Sequence, residues 1–105
     1  MKPMVAIDWG TSSLRAAQLD AHGNVMDVRA SAQGILNVPA GQFAAVFEAL
    51  CIDWTRVSGS FFLISGMAGS RQGWLEAPYC ACPASAAELA KALAWVESGR
   101  IAIVP

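Results

Sequence analysis

Hydrophobic and polar residues recur along the chain first with the period of strands and then with that of a helix. Apolar runs or alternating apolar and polar residues mark three strands, at residues 5–8, 14–19 and 25–30. The turn at residues 20–24 contains Gly23, which we expect to adopt a positive φ. This succession predicts a meander of three strands at the start of the chain.

A helical period follows the loop at residues 34–41. Pro39 is predicted to be the first helical residue. Apolar residues at spacings of three and four then form one face of the helix: Phe43, Val46, Phe47, Leu50 and Trp54. The continuous apolar run at residues 61–64 predicts a strand buried on both faces.

A second helix is predicted around Ser85, because the sequence Ser-Ala-Ala-Glu at residues 85–88 fits a capping box. Gly99 ends this helix, and residues 101–104 form a last strand. Three residues at helical spacing make its apolar face: Leu89, Leu93 and Val96. The sequence therefore predicts an α/β domain with a mixed five-stranded sheet and flanking helices.

The turn between the first two strands has the composition of an anion-binding site. Gly10 permits a positive φ and close approach of another group to the backbone. Successive amide N–H groups in such a turn can converge on a phosphate, and three hydroxyl residues add donors: Thr11, Ser12 and Ser13.

Asp8 ends the preceding strand, where its carboxylate suits a Mg²⁺ ion held through water. Arg15 is placed to neutralise the remaining phosphate charge. The alternative is a plain turn with a strand-terminal aspartate, because so short a pattern often occurs by chance.

Two motifs resemble known proteins. The segment from Asp8 to Arg15 resembles the first phosphate motif of the actin, Hsp70 and sugar-kinase superfamily. The later stretch S-G-M-A-G-S-R-Q-G-W-L-E-A-P-Y, at residues 65–79, is more specific and resembles the 2-keto-3-deoxygalactonokinase family, also called 2-dehydro-3-deoxygalactonokinase. The resemblance runs from Val5 to Pro105.

The resemblance implies a ribonuclease-H-like (actin-like ATPase) domain and an ATP- and Mg²⁺-dependent kinase. Its reaction is phosphorylation of 2-dehydro-3-deoxy-D-galactonate to the 6-phosphate, in the catabolism of the carbohydrate acid galactonate. We therefore expect residues 1–105 to be the N-terminal domain of a sugar-acid kinase. A second, C-terminal domain, absent here, is expected to supply the adenosine pocket, so the chain alone is expected to be inactive.

The family motif also suggests where the sugar acid binds. Arginine binds carboxylates bidentately, which makes Arg71 the expected contact to the acid group. Four further residues of the stretch are candidate substrate contacts: Ser70, Gln72, Trp74 and Glu76. Structural roles are the alternative for Arg71, on the surface, and for Trp74, in the core. We see no catalytic base in the sequence and expect it beyond Pro105.

Composition restricts the partners of the chain. Charged residues make up 14% and hydrophobic residues 55%, so apolar surface is expected to face a missing domain or a partner, and the isolated chain is expected to self-associate. A net charge of −1 provides no electrostatic case for nucleic acid or an anionic membrane. No apolar run is long enough to span a bilayer.

Three cysteines without a signal peptide favour reduced thiols in the cytoplasm. Cys80 and Cys82 form a possible metal pair, but zinc needs four ligands and the chain has one histidine, His22, in a predicted turn.

Two other classes of function stay open at this point. A ribonuclease-H-like nuclease also carries an aspartate on its first strand, but it needs several converging carboxylates. The first helix offers Glu48 and Asp53, whereas the fourth strand ends in Ser65 and Gly66. The third class is a non-catalytic, actin-like interaction module, which nothing in the sequence excludes.

Overall fold

A computed structural model describes residues 4–56, 59–70, 73–75, 93–97 and 100–104. Its elements are strands β1 (Met4–Trp9), β2 (Leu14–Leu19), β3 (Val25–Ser31), β4 (Phe61–Gly66), β5 (Ala94–Glu97) and β6 (Ile101–Ile103), helix α1 (Phe43–Thr55), and two short 3-10 helices (Ile35–Asn37 and Met67–Gly69).

The strands form one mixed sheet in the order β3-β2-β1-β4-β6-β5. The first three strands are an antiparallel meander, as the sequence predicts. Strand β4 lies parallel to β1, and β6 lies parallel to β4. Gly23 has a φ of 81°, which confirms the predicted turn between β2 and β3. The mixed α/β class is confirmed, but among the described residues the sheet has six strands and not the predicted five.

The additional strand is β5, which occupies part of the predicted second helix. Residues 94–97 pair antiparallel with β6, so a helix continuing through Val96 is wrong. The burial pattern is that of a strand: Ala94 and Val96 are half-buried against the core, while Trp95 turns outward and packs on Phe61 with ring centroids 6.0 Å apart. The proposed capping box at residues 85–88, Leu89 and Gly99 lie outside the described residues.

Helix α1 packs on the sheet through the face that the sequence predicts. Its buried residues are Phe43, Val46, Phe47, Cys51 and Trp54, and Leu50 is partly buried beside them. The helix begins at Phe43, so the predicted start at Pro39 is wrong. Gly41 has a φ of 80°, which is not helical, and the N–H of Gln42 closes a separate turn onto the carbonyl of Pro39. None of the helices that the structure describes is both long and apolar enough to cross a membrane.

One face of the sheet packs against α1, and the opposite face carries polar residues of β1, β2 and β4. Along β1, Val5, Ile7 and Trp9 are buried toward α1, and the residues between them point to the opposite face. Strand β4 follows the same pattern: Phe62 and Ile64 are fully buried, whereas Phe61 and Leu63 are only partly so. The prediction of a strand buried on both faces is therefore wrong for β4.

Arg29 ties β3 to the end of α1. Its guanidinium donates two hydrogen bonds to the Asp53 carboxylate, at 2.5 and 2.6 Å, and one to the Leu50 carbonyl at 2.9 Å. The same group lies 3.7 Å from the centre of the Trp54 ring, a cation–π contact. These contacts fix the α1 face of the sheet, so Arg29 and Asp53 have a structural explanation.

The Arg29–Asp53 pair predicts a loss of stability in acid. Hydrogen bonds from Arg29 lower the pKa of Asp53 from 3.8 to about 2. A carboxyl group with a lowered pKa in the folded state contributes stability above its unfolded pKa and loses it as the pH falls from 3.8 to about 2. We expect Asp53→Asn to remove this acid-dependent part of the unfolding free energy. Urea unfolding at pH 5 and pH 2.5 measures this contribution. If Asp53→Asn lost the same unfolding free energy relative to the wild type at both pH values, the acid-dependent role of the Arg29–Asp53 pair would be contradicted.

Candidate functional site

Three polar side chains line up across neighbouring strands on the face of the sheet opposite α1. Asp8 near the end of β1 is paired with Arg15 of β2 on one side and with Ser65 of β4 on the other. All three residues are exposed, and they line one end of an open cavity of about 290 Å³. The rest of its wall is mainly apolar, with Ala6 and Leu63 among the lining residues. A carboxylate and a guanidinium are therefore presented together at the carboxyl end of β1.

Neither charge of this row is neutralised by the part of the protein that is described. Among residues 4–56, 59–70, 73–75, 93–97 and 100–104, Asp8 and Arg15 take part in no ion pair within 4.0 Å. The hydroxyl of Ser65 donates to the Ile7 carbonyl at 3.2 Å, so it is partly committed to the strand. Asp8 and Arg15 are thus the two groups whose charges are available to a ligand.

Gly66, the last residue of β4, lies directly beside the Asp8 carboxylate. It has a φ of 94° and a ψ of −149°, a conformation that residues with a Cβ rarely adopt. A Cβ at this position would lie 2.7 Å from the Trp9 carbonyl oxygen and 3.0 Å from Asp8 Oδ1. Glycine is therefore required here by both the backbone conformation and the space around Asp8.

The predicted turn at residues 10–13 is present, but its glycine has a different role from the expected one. Gly10 does not have a positive φ, and its N–H donates to the Ser13 carbonyl at 2.9 Å. A Cβ on Gly10 would meet Ser13 O at 3.6 Å, an ordinary contact, so the turn itself does not require glycine. Thr11, Ser12 and Ser13 are exposed, as an anion-binding turn needs.

Gly34 is a second glycine whose importance the sequence does not reveal. A Cβ there would lie within 2.5 Å of three backbone atoms of Thr11 and Ser12. The signal exists only in three dimensions, because Gly34 and the turn are separated by more than twenty residues and meet when the loop after β3 folds back. Gly34 therefore packs against the turn after β1, whereas Gly66 packs against Trp9 and Asp8.

Trp74 is partly buried and packs against the hydrophobic core. Its ring packs against those of Trp9 and Phe47, with centroids 5.9 and 5.5 Å away. It also lines an open cavity of about 400 Å³ at the start of α1, together with Phe43 and Val38. These ring contacts support a structural role for Trp74, the alternative to a substrate contact. The same side chain still borders this cavity.

The remaining substrate candidates are only partly placed. The hydroxyl of Ser70 donates to the carbonyl of Met67 at 2.7 Å, which stabilises the short 3-10 helix after β4. Gly73 packs against that helix so closely that a Cβ would lie 2.2 Å from the Ala68 oxygen. Three of the predicted contacts lie outside the described residues: Arg71, Gln72 and Glu76.

In the part of the chain that the structure describes, the carboxylates that a nuclease needs do not converge on Asp8. Asp53 belongs to α1, on the opposite face of the sheet, and is bound to Arg29. Glu48 is on the same helix and accepts only a long hydrogen bond, 3.4 Å, from Thr55. On β4 the residue opposite Asp8 is Ser65. Among the described residues there is no group of three or more histidine, cysteine or acidic side chains that could hold a metal ion.

Cys51 is a buried free thiol whose pKa burial raises to about 12, so it stays protonated at neutral pH. The other two cysteines, Cys80 and Cys82, lie outside the described residues.

A comparison with known families identifies the family of the chain. A sequence model of the family described as 2-keto-3-deoxy-galactonokinase matches residues 8–105. The chain belongs to the 2-keto-3-deoxy-galactonokinase family. The match includes both the turn after Asp8 and the stretch at residues 65–79, so the predicted family is confirmed.

Two curated relatives are similar to this member of the family. A protein of Rhizobium meliloti (strain 1021) named "Probable 2-dehydro-3-deoxygalactonokinase DgoK1" is 38% identical over 85 residues, which is 81% of this chain and 28% of the relative. The 2-dehydro-3-deoxygalactonokinase of Escherichia coli (strain K12) is 34% identical over 101 residues, which is 96% of this chain and 34% of that protein.

A solved structure has the same fold. The crystal structure of a "putative 2-dehydro-3-deoxygalactonokinase protein" from Sinorhizobium meliloti superposes with a TM-score of 0.82 at 36% identity, covering 97% of this chain and 34% of the other. The chain therefore spans about a third of the length of the family members it matches.

Proposed function

We propose that this chain forms the phosphate-binding part of an ATP-dependent kinase that phosphorylates 2-dehydro-3-deoxy-D-galactonate to its 6-phosphate in the cytoplasm. The observation that carries the proposal is the position of Asp8, exposed at the end of β1, beside Arg15 and next to a turn of three exposed hydroxyl residues. Membership of the family and the names of its relatives support the choice of substrate.

The residues present fit a Mg²⁺ ion bound together with a nucleotide. Magnesium is usually held by one or two carboxylates, several waters and the substrate phosphates, and not by a cage of protein ligands. A single exposed carboxylate beside a phosphate-sized turn matches that requirement, with Asp8 in contact through water. When bound, the ion neutralises charge on the phosphate oxygens during transfer.

The residues of this chain contribute positioning and electrostatic stabilisation. Phosphoryl transfer needs little covalent chemistry from the protein, so catalysis depends on holding the phosphates and compensating their charge. The turn at residues 10–13 donates hydrogen bonds to phosphate oxygens, and Arg15 supplies a positive charge. The group that accepts the proton of the sugar hydroxyl is assigned to another part of the complete protein.

The topology supports a ribonuclease-H-like domain of the actin-like ATPase kind. An antiparallel meander is followed by strands parallel to β1, with α1 in the first crossover, and the strand order from β3 to β6 is the one expected for that fold. In our proposal β5 is an addition at the edge of the sheet. A second domain of the complete protein closes over the Asp8 face and supplies the adenosine pocket.

The sugar acid is assigned to the region after β4. The cavity bordered by Trp74 and Phe43 offers an apolar wall for the carbon chain, in the way that ligand pockets commonly do. Arg71 is proposed to hold the carboxylate because a planar guanidinium matches its two oxygens.

Arg71→Lys tests this assignment in the complete protein. A lysine cannot reproduce two parallel hydrogen bonds, and one charge-assisted bond contributes on the order of 1.5–3 kcal/mol. We expect kcat/KM for the sugar acid to fall roughly ten- to a hundredfold, with the KM for ATP nearly unchanged. Arg56→Lys, a change at an exposed arginine after α1, is the matched control. Equal losses of kcat/KM with the sugar acid and with neutral sugars, or a large fall in melting temperature, would show that Arg71 has a structural role instead.

The proposed function itself is tested by a substrate panel. The complete protein is incubated with Mg²⁺, ATP and each of three substrates: the keto-deoxy acid, the corresponding neutral sugars, and a single-stranded or duplex nucleic acid. We expect phosphorylation of the acid alone. Cleavage of nucleic acid would indicate a nuclease, and absence of any turnover would indicate a non-catalytic module.

A further inference from the structure

The loop after β3 is bound tightly to the turn after β1. The N–H of Ile35 donates to the Gly10 carbonyl at 3.0 Å, and the N–H of Leu36 donates to the Thr11 carbonyl at 3.2 Å. Gly34 lies so close to the same backbone that a Cβ would be 2.4 Å from Thr11 O and 2.5 Å from Ser12 N. Real Cβ atoms essentially never come within 3.0 Å of such atoms, so only glycine permits this packing.

These two hydrogen bonds determine which way the peptides of the turn face. In a planar trans peptide the C=O and N–H groups point in opposite directions. Since the Gly10 and Thr11 carbonyls point to the loop after β3, the N–H groups of Thr11 and Ser12 point away from that loop. The N–H of Gly10 is used differently, because it donates to the Ser13 carbonyl within the turn.

The loop that imposes this orientation is itself held by the core. Ile35 is buried, with 5% of its surface exposed, and belongs to the cluster beneath α1. The indole N–H of Trp9 donates to the Gln33 carbonyl at 3.0 Å, one residue before Gly34. Leu36, in contrast, has 72% of its surface exposed, so its side chain contributes little to packing.

We propose that Gly34, Ile35 and Leu36 are positioning residues that hold the amides of Thr11 and Ser12 toward the nucleotide phosphate. This inference rests on the proposed function, because it assigns those two amides as phosphate donors. Gly34 permits the contact, and the N–H groups of Ile35 and Leu36 orient the two peptides. The loop after β3 thereby couples the hydrophobic core to the geometry of the phosphate turn.

Leu36→Pro and Leu36→Ala form a matched pair that tests the hydrogen bond. Proline removes the N–H that binds the Thr11 carbonyl, and the first turn of a helix tolerates proline. Alanine keeps the N–H and removes only an exposed side chain, so the comparison separates the loss of the N–H, together with the backbone restriction that proline adds, from the loss of the side chain. In the complete protein we expect the KM for ATP to be about tenfold or more higher in the proline variant, with the KM for the sugar acid unchanged.

Gly34→Ala is expected to displace the same Thr11–Ser12 turn by another means, and Gly23→Ala is its control. The first forces a Cβ into the Thr11–Ser12 peptide, whereas a Cβ on Gly23 meets nothing within 4 Å. We expect a higher KM for ATP only in the Gly34 variant. An ATP KM within twofold of wild type in both Leu36→Pro and Gly34→Ala, or an equal rise for both substrates, would overturn the inference.

A spectroscopic measurement separates failure of this inference from failure of the proposed function. If the wild-type protein transfers no phosphate to the acid, the proposed function fails. Amide ¹H–¹⁵N spectra of the folded variants then decide the orienting role alone. We expect the Thr11 and Ser12 resonances to move in Leu36→Pro and to stay in place in Leu36→Ala; the same pattern in both variants would contradict that role.

Discussion

Asp8→Asn is expected to keep the fold and lower kcat by about a hundredfold or more in the complete protein, which corresponds to roughly 2.7 kcal/mol of activation free energy. Asparagine has nearly the same shape but lacks the charge that faces the proposed cation. Asp8 is exposed, and no hydrogen bond or ion pair from the described part of the chain depends on its carboxylate. The loss should therefore appear in catalysis and not in stability.

Glu48→Gln is the matched control for Asp8→Asn. It removes the charge of another exposed carboxylate, but on α1, behind the opposite face of the sheet. We expect steady-state turnover close to that of the wild type. If Asp8→Asn also turned over at nearly the wild-type rate while remaining folded, the assignment of Asp8 to the phosphate and Mg²⁺ site would be wrong.

Gly66→Ala is expected to destabilise the fold strongly. A residue with a Cβ in this backbone conformation costs of order 1–3 kcal/mol, and the overlap with the Trp9 carbonyl adds a cost of similar size. A total of about 3 kcal/mol is a large fraction of the 5–15 kcal/mol that stabilises an ordinary domain. The new methyl group also lies against Asp8 Oδ1, so the fraction that remains folded should have impaired turnover.

Denaturant unfolding measures the first of these effects, with Gly23→Ala for comparison. Gly23 has a similar positive φ of 81°, but there is open space around it, so alanine there adds backbone strain without overlap. We expect the Gly66 variant to lose clearly more unfolding free energy than the Gly23 variant. Equal losses would show that the packing of Gly66 against Trp9 and Asp8 has no energetic importance.

Local patterns account for the elements that the sequence predicts correctly. The apolar run in β1, the alternation in β3 and the helical spacing in α1 each depend on residues close in the chain, so they are readable without a structure. The start of α1 was misplaced because the positive φ of Gly41 outweighs the preference of Pro39 for a first helical turn. The sequence does not reveal strand β5, because the spacing of three between Leu93 and Val96 favours a helix, and the pairing of β5 with β6 is a tertiary contact.

In the candidate site, too, some features can be predicted from the local sequence and others depend on tertiary contacts. Asp8, the hydroxyl residues of the turn and Arg15 could be identified from their types and spacing, and the register of β1 with β2 places Asp8 opposite Arg15. The roles of Gly34 and Gly66 could not, because each depends on a backbone approach between distant segments. Trp74 was assigned to the sugar acid from its motif, yet most of its ring packs on Trp9 and Phe47.

The most direct test of the account is a crystal structure of the complete protein with Mg²⁺ and a non-hydrolysable ATP analogue. We expect the terminal phosphates to lie within hydrogen-bond distance of the Thr11 and Ser12 amides. The Mg²⁺ ion should lie between those phosphates and Asp8, with water completing its coordination. A nucleotide whose phosphates lie away from the turn at residues 10–13, with Asp8 remote from the ion, would contradict the account.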